Sequence, residues 1–291
     1  MSIADEIKQS FKSGSTLTKL IYINLAVFLT VKLIAVFYFL FTIESSFSLV
    51  SWLAVPADIT NLLYKPWTVF SYMFLHQDFL HILFNMLWLF WFGQIFLQYF
   101  DQKKLVSVYL LGGLAGAFIY ILTFNIFPVF TDILPVSYAL GASASVIAIV
   151  IAVSVYAPNH TIYLLFLGPV KLKYIALVTI VIDIISIAST NAGGHLAHLG
   201  GAMFGYIYVM QFKKGRNISR LFDRLMDSVF SIFKPKPKIK VTYKRPANDI
   251  EYNKMKIQQQ AEIDKILDKI ALSGYESLSK QEKEILFKGS K

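Results

Sequence analysis

The sequence contains no cysteine. That excludes disulfides, a thiol nucleophile and any cysteine-bound metal. It also lacks a cleavable signal pattern. Its first apolar block is too long for a signal h-region and carries no small-residue cleavage site, so it reads as an uncleaved anchor. The apolar runs do not alternate with polar residues, which excludes a β-barrel. There is no His-Glu-x-x-His motif, and its absence weighs against metal-dependent hydrolysis. Charge is sparse, at 16% of residues, and unevenly placed.

What is abundant is apolar. Hydrophobic residues make up 56% of the 291-residue chain, and mean hydropathy is +0.56. A soluble domain interrupts its apolar residues. Here they come in blocks long enough to span a bilayer, which takes roughly 20 residues. Six spans are expected, near 20–42, 77–98, 105–124, 142–157, 172–190 and 195–212. Lipid admits helices or closed barrels only, so the fold class is an all-α membrane protein.

The lysines orient it. Lys8, Lys12 and Lys19 precede the first span, Lys103 and Lys104 join the second to the third, and Lys171 and Lys173 join the fourth to the fifth. Lys213, Lys214 and Arg216 follow the sixth. The alternate connections hold only Lys65. Positive charge marks the cytoplasmic side, so both termini are expected there, with the protein in a bacterial inner (plasma) membrane. From Gln211 onward, 19 basic residues face 10 acidic ones, a composition suited to anionic lipid rather than nucleic acid.

Three polar groups then fall at one depth, on the outer side. "HQDFLHILFNMLW" opens the second span, with His81 and Asn85 four apart on one helix face. Ser143 opens the fourth, and "GGHLAHLGGAMFG" opens the sixth with His195 and His198. Polar residues inside a span are expensive, and a convergent set points to function. A serine hydroxyl needs a base to take its proton, and a histidine imidazole can serve at neutral pH. The N–H of Ser143 with the side chains of His81 and Asn85 can supply oxyanion donors. Gly141, Ala142 and Ala144 allow close approach to Ser143. Gly201 and Gly205 form a GxxxG stripe that lets the fourth and sixth helices touch.

These segments resemble the rhomboid family of intramembrane serine proteases. The resemblance rests on "HILFN" in the second span, "GASA" in the fourth and "AHLGGAMFG" in the sixth, in that order, with "VYLLGGLAGAF" in the third adding to it. It covers about residues 15 to 212. It implies a six-transmembrane-helix rhomboid-like bundle and a serine-type intramembrane endopeptidase with a Ser143–His198 catalytic pair and no catalytic aspartate. It further implies His81 and Asn85 as oxyanion partners, no cofactor and no metal. Substrates would be transmembrane segments of other membrane proteins, reached through a lateral gate formed by the fifth loop and fifth helix. The chain departs from the family pattern in three places. Ala144 replaces a glycine, Ile147 stands where some members stack a tyrosine on the histidine, and Trp67 is followed by Thr68 where the family often has arginine.

Two other functions compete. One is a catalytically silent rhomboid-like protein that binds membrane clients, which would need neither Ser143 nor His198. The other is a metal-dependent membrane enzyme or transporter using His76, His81, His195 and His198. Taken alone, His76 and His195 read as loop-capping residues, His160 as solvated and Ser145 as packing. Asp183, a carboxylate inside the fifth span, is a candidate to bond the fifth loop near Asn191 or His195, or to be protonated; a third catalytic member would orient His198, but nothing in the spacing shows this. Lys32 is expected to snorkel or face the bundle.

The domain plan that follows is a cytoplasmic tail over 1–19 and a membrane domain over 20–212. An amphipathic helix and basic linker occupy 213–248, and a small helical cytoplasmic module 249–291. Residues Leu221, Phe222, Leu225 and Met226 share a face opposite Arg220, Asp223 and Arg224, suited to the cytoplasmic leaflet or to packing on the bundle. "KPKPKIK" is an extended linker. "SKQE", from Ser279 to Glu282, is a capping box that starts a short last helix. Such a module is too small for a full core and is expected to dock a cytoplasmic partner.

Overall fold

The computed structural model describes residues 3–42, 48–164, 168–233 and 249–289. The elements, in chain order, are α1 (Ile3–Ser13), α2 (Thr16–Leu40), α3 (Leu49–Leu53), β1 (Val55–Pro56), α4 (Ile59–Tyr64), α5 (Thr68–Ser71), α6 (Phe79–Tyr99) and α7 (Gln102–Ile126). Next come β2 (Tyr138–Ala139), α8 (Ser143–Tyr156), β3 (Thr161–Leu164), β4 (Gly168–Lys171), α9 (Leu172–Ile185) and α10 (Ala192–Lys213). The last are α11 (Arg220–Phe233), α12 (Asp249–Ser273) and α13 (Lys280–Gly289). The elements through α11 form one compact unit, and α12 with α13 belong to a second.

Among the described residues, α2, α6 and α7 are long and apolar enough to cross a membrane. Helix α8 is a shorter apolar helix of 14 residues. It is also the most enclosed, with every residue from Ala144 to Ser154 buried. Around it pack α6, α7, α9 and α10. Small residues make that possible. A β-carbon on Gly201 would run into the Ala144 carbonyl, and one on Gly205 into the Ala148 carbonyl. Helices α8 and α10 therefore meet backbone to backbone, the contact the GxxxG stripe predicts. Helix α9 is different: it buries Leu172, Ala176 and Asp183, while Leu177, Val178, Val181 and Ile182 are exposed.

Side chains define where the helices start. Ser15 caps α2 by accepting from the Thr18 N–H (3.2 Å), Asp78 caps α6 through His81 N–H (2.8 Å) and Asp101 caps α7 through Lys104 N–H (2.8 Å). Asn191 caps α10 through Gly194 N–H (3.3 Å). Each such bond satisfies one of the four amides a helix start leaves open. Helix α8 has no side-chain cap.

The connections hold structure that periodicity did not reveal. Between α2 and α6 the described residues form three short α-helices and a 3₁₀ turn over Tyr72–Phe74, with Trp67 stacked on Trp52 at 5.7 Å and its indole N–H donating to the Trp52 carbonyl (2.9 Å). Strand β1 pairs antiparallel with β2, Val55 opposite Ala139. β3 and β4 form a hairpin between α8 and α9. His160 is not merely solvated, since its Nδ1 lies 3.0 Å from the Tyr99 hydroxyl. Lys32 is exposed on α2, with its ammonium 5.8 Å from the Phe28 ring centre.

Helix α11 sits with the first unit. Asp223 is buried, accepting from the Ser107 and Ser219 hydroxyls, and Asp227 pairs with Lys103. Its polar side thus faces α7, leaving Leu221 and Leu225 exposed. The "KPKPKIK" segment lies outside the described residues. In the second unit, Ser279 and Glu282 make the reciprocal bonds of a capping box. The Ser279 N–H donates to Glu282 Oε2 (2.6 Å) and the Glu282 N–H to Ser279 Oγ (3.3 Å).

Candidate active site

The N-terminal ends of α6, α8 and α10 meet at a cavity of about 1200 Å³, lined among others by His81, Asn85, Ser143, Asp183, His195 and His198. All four residues expected to do chemistry therefore face one space, each delivered by the first turns of a different helix or of α6.

The approach to Ser143 is built from the loop before it. The β1–β2 pairing ties residues 138 and 139 to the first loop, and the Gly141 N–H donates to the Tyr72 carbonyl (2.9 Å). Tyr72 is itself held by its hydroxyl bond to the Gly113 carbonyl (2.5 Å). Gly141 adopts φ +128°, a backbone region that strains any residue with a side chain. A β-carbon there would also lie 2.9 Å from His81 Nε2 and 3.7 Å from Ser143 Oγ. Glycine thus leaves open the space between the imidazole and the hydroxyl.

Ser143 is the first residue of α8, and the first intrahelical bond of that helix closes at the Val146 N–H (2.9 Å to the Ala142 carbonyl). With no side-chain cap, the preceding amides of the first turn remain available, and the helix dipole adds partial positive charge at that point. The Ser143 hydroxyl has no hydrogen-bond partner among the described residues. Asn85 is buried and uses one amide hydrogen on the His81 carbonyl (2.9 Å), leaving the second free.

Asp183, a candidate to bond the fifth loop near Asn191 or His195, reaches His195 and also His198. It is buried, and its Oδ1 lies 2.8 Å from Nδ1 of His195 and 2.8 Å from Nδ1 of His198. His195 is therefore a partner of this carboxylate rather than a loop cap. The only sequence signal was the carboxylate itself, inside an apolar helix. The ligand atoms of Asp183, His195 and His198 lie within 4.8 Å of one another, a spacing that one cation would also fit. That group differs from the four-histidine set, leaving out His76 and His81. His76 packs edge-on against His81 (5.1 Å between ring centres), and neither of its nitrogens has a hydrogen-bond partner. Burial, with the neighbouring His81 ring, lowers its pKa to about 4.

The three departures from the family pattern have local explanations. Ala144 is buried directly beneath the Gly201 contact. Ile147 packs with Ile151, Ala176 and Ala202, where α8, α9 and α10 meet. Thr68 is buried, donating to the Lys65 carbonyl (2.6 Å), so no arginine reaches out from that position.

Residues 64–214, about half of the chain, match the family model of the rhomboid domain. The chain belongs to the rhomboid family, and it is an integral membrane protein. It is 31% identical over 158 residues to the RHOMBOID-like protein 12, mitochondrial, of Arabidopsis thaliana, an alignment covering 51% of this chain and 47% of that one. It is 35% identical over 68 residues to the Rhomboid protease GlpG of Klebsiella pneumoniae, covering 23% and 24%. The matches thus span about half and about a quarter of those relatives. Residues 248–291 match a family of unknown function (DUF6576).

Proposed function

We propose that this protein is an intramembrane serine endopeptidase that cleaves transmembrane segments of other membrane proteins. Its membrane domain crosses six times with both termini in the cytoplasm, a reading supported by the alternation of lysine-bearing and lysine-poor connections. The observation that carries the reading is the shared cavity, bordered by Ser143, His198, His81 and Asn85 from three helices. A binding protein has no need of that combination.

The chemistry runs in two balanced steps. The Ser143 O–H bond breaks, its proton passes to His198 Nε2, and its electron pair attacks the scissile carbonyl carbon. The carbonyl oxygen gains the negative charge, met by the Ser143 N–H at the start of α8 and by donors from His81 and Asn85. Collapse expels the amine, which takes the proton from His198, and leaves an acyl ester on Ser143. Water then repeats the sequence and releases the acid. The few buried contacts of α9 suit a wall that moves to admit substrate.

The test is cleavage of a model transmembrane substrate in proteoliposomes by the purified protein and by Ser143→Ala. The wild type is expected to cleave, with the variant slower by at least about 10³-fold. Equal rates would remove Ser143 as nucleophile. No cleavage by either, with retained client binding, would favour the silent client-binding alternative.

A further inference from the structure

We propose that Asp183 is a positioning residue for His198, holding it in the one tautomer that accepts the serine proton. The inference rests on the protease reading above.

Asp183 lies on α9 and is 4% exposed, on a helix that otherwise buries only Leu172 and Ala176. Packing alone gives no reason for a carboxylate there, because an apolar side chain would fill the same space without desolvating an ionisable group. The reason lies in its two contacts. One oxygen, Oδ1, sits 2.8 Å from Nδ1 of both His195 and His198. An ionised carboxylate offers only lone pairs, so both facing nitrogens must carry protons. A neutral His198 with its proton on Nδ1 has its lone pair on Nε2. That is the nitrogen a general base needs, and it is the one Asp183 does not occupy.

His195 has a separate part. Its ring stands nearly perpendicular to that of His198, at 83° and 5.8 Å between centres, so the two donors reach one oxygen from different directions. Two donors fix the carboxylate in place more firmly than one. Both imidazoles belong to α10 and the carboxylate to α9, so the same bonds fasten α9 to the helix that carries the base. When the Ser143 proton moves to Nε2, the imidazolium forms 2.8 Å from the Asp183 carboxylate. The proton on Nδ1 stays where it is, and Asp183 remains ionised throughout.

The experiment compares wild type, Asp183→Asn, Asp183→Glu and Ser143→Ala as purified full-length proteins in detergent, with kcat and KM for a model transmembrane substrate. Unfolding midpoints and ¹⁵N imidazole spectra, assigned with His198→Ala, are taken on the same samples. Asp183→Asn is expected to lower kcat by about 10²- to 10⁴-fold with KM changed less than about three-fold. His198 should shift from the Nδ1–H to the Nε2–H form. Asp183→Glu keeps the carboxylate and should recover part of the lost rate at the same folded fraction. Unchanged kcat in Asp183→Asn, while Ser143→Ala is inactive, would overturn this inference and leave the protease reading standing. Full cleavage by Ser143→Ala would instead sink the reading beneath it. A loss of kcat that follows the folded fraction, with the His198 tautomer unchanged, would reduce Asp183 to a structural role. Abolition of wild-type activity by a chelator, restored by zinc, would replace the hydrogen bonds with a metal.

Discussion

Replacing Gly201 by alanine adds one methyl group at the tightest point beneath the proposed nucleophile. Built on the existing backbone, that methyl overlaps the Ala144 carbonyl oxygen and stands 2.9 Å from the Ala144 carbonyl carbon and 3.2 Å from its Cα. All three are backbone atoms of α8, so no side-chain rotation relieves the contact. The helices must move apart by about 1 Å to restore ordinary van der Waals separation. Overpacking of this kind costs about 1–3 kcal/mol. The chemical cost is larger, because Ala144 follows Ser143 while His198 stands three residues before Gly201. A 1 Å misplacement of reacting groups costs about 10²-fold in rate.

Gly201→Ala is therefore expected to lower kcat about 100-fold while lowering the unfolding free energy in detergent by about 1–3 kcal/mol. Gly205→Ala is the control. Its methyl meets the Ala148 carbonyl, one turn further from the site, so it should lose similar stability with a smaller loss of rate. Both are read by substrate cleavage and by unfolding on the same samples. Wild-type activity in Gly201→Ala, or equal rate losses in the two variants, would refute the claim that this contact sets the serine–histidine geometry.

Acid should destabilise the protein through His76, which precedes the second expected span. An ordinary imidazole protonates near 6.5, and the buried one only at about 4. The unfolded chain therefore takes up the proton first, so stability is full above pH 6.5 and falls as pH drops toward 4, by at most about 3 kcal/mol. His76→Gln should flatten that part of the stability–pH curve, and identical slopes would refute it. Removing the Asn24 side chain, which is fully buried and donates to the Leu20 carbonyl (2.8 Å) and the Tyr109 hydroxyl (3.1 Å), should cost about 1–3 kcal/mol by leaving Tyr109 short of a partner. Equal unfolding midpoints for Asn24→Ala and wild type would contradict that. In the second unit, Ser279→Ala should remove about 1 kcal/mol of capping and raise hydrogen exchange in the first turn of α13 about five-fold. Unchanged protection would show the cap to be idle. The Glu282 carboxyl is held down to about 2 by Lys269 and Ser279. The contribution of these bonds is complete above the ordinary glutamate range, near 4.5, and should fall away as pH drops from there through about 2.

What could be read from the chain, and what could not, divides along sequence distance. The long helices lie within a few residues of the apolar blocks, because block length and period are local properties. The α8–α10 contact was legible too, since Gly201 and Gly205 recur at the helical spacing and nothing but a close backbone neighbour requires them. The first loop was not: α3, α4 and α5 are each under seven residues, too short for periodicity to register. Nor was the β3–β4 hairpin, whose strands hold four residues each. Asp183 was visible as an anomaly with His195 as a suggested partner, but no spacing tied it to His198, 15 residues on, because a 3₁₀ turn over Ser186–Ala188 and the Asn191 cap reverse the chain between them. No helical spacing relates residues across a reversal. The bond exists because α10 turns back along α9 and brings two imidazole faces onto one buried oxygen. The groups that move protons here were legible one at a time, and the geometry that would make one of them a base depends on a fold-back that no local pattern encodes.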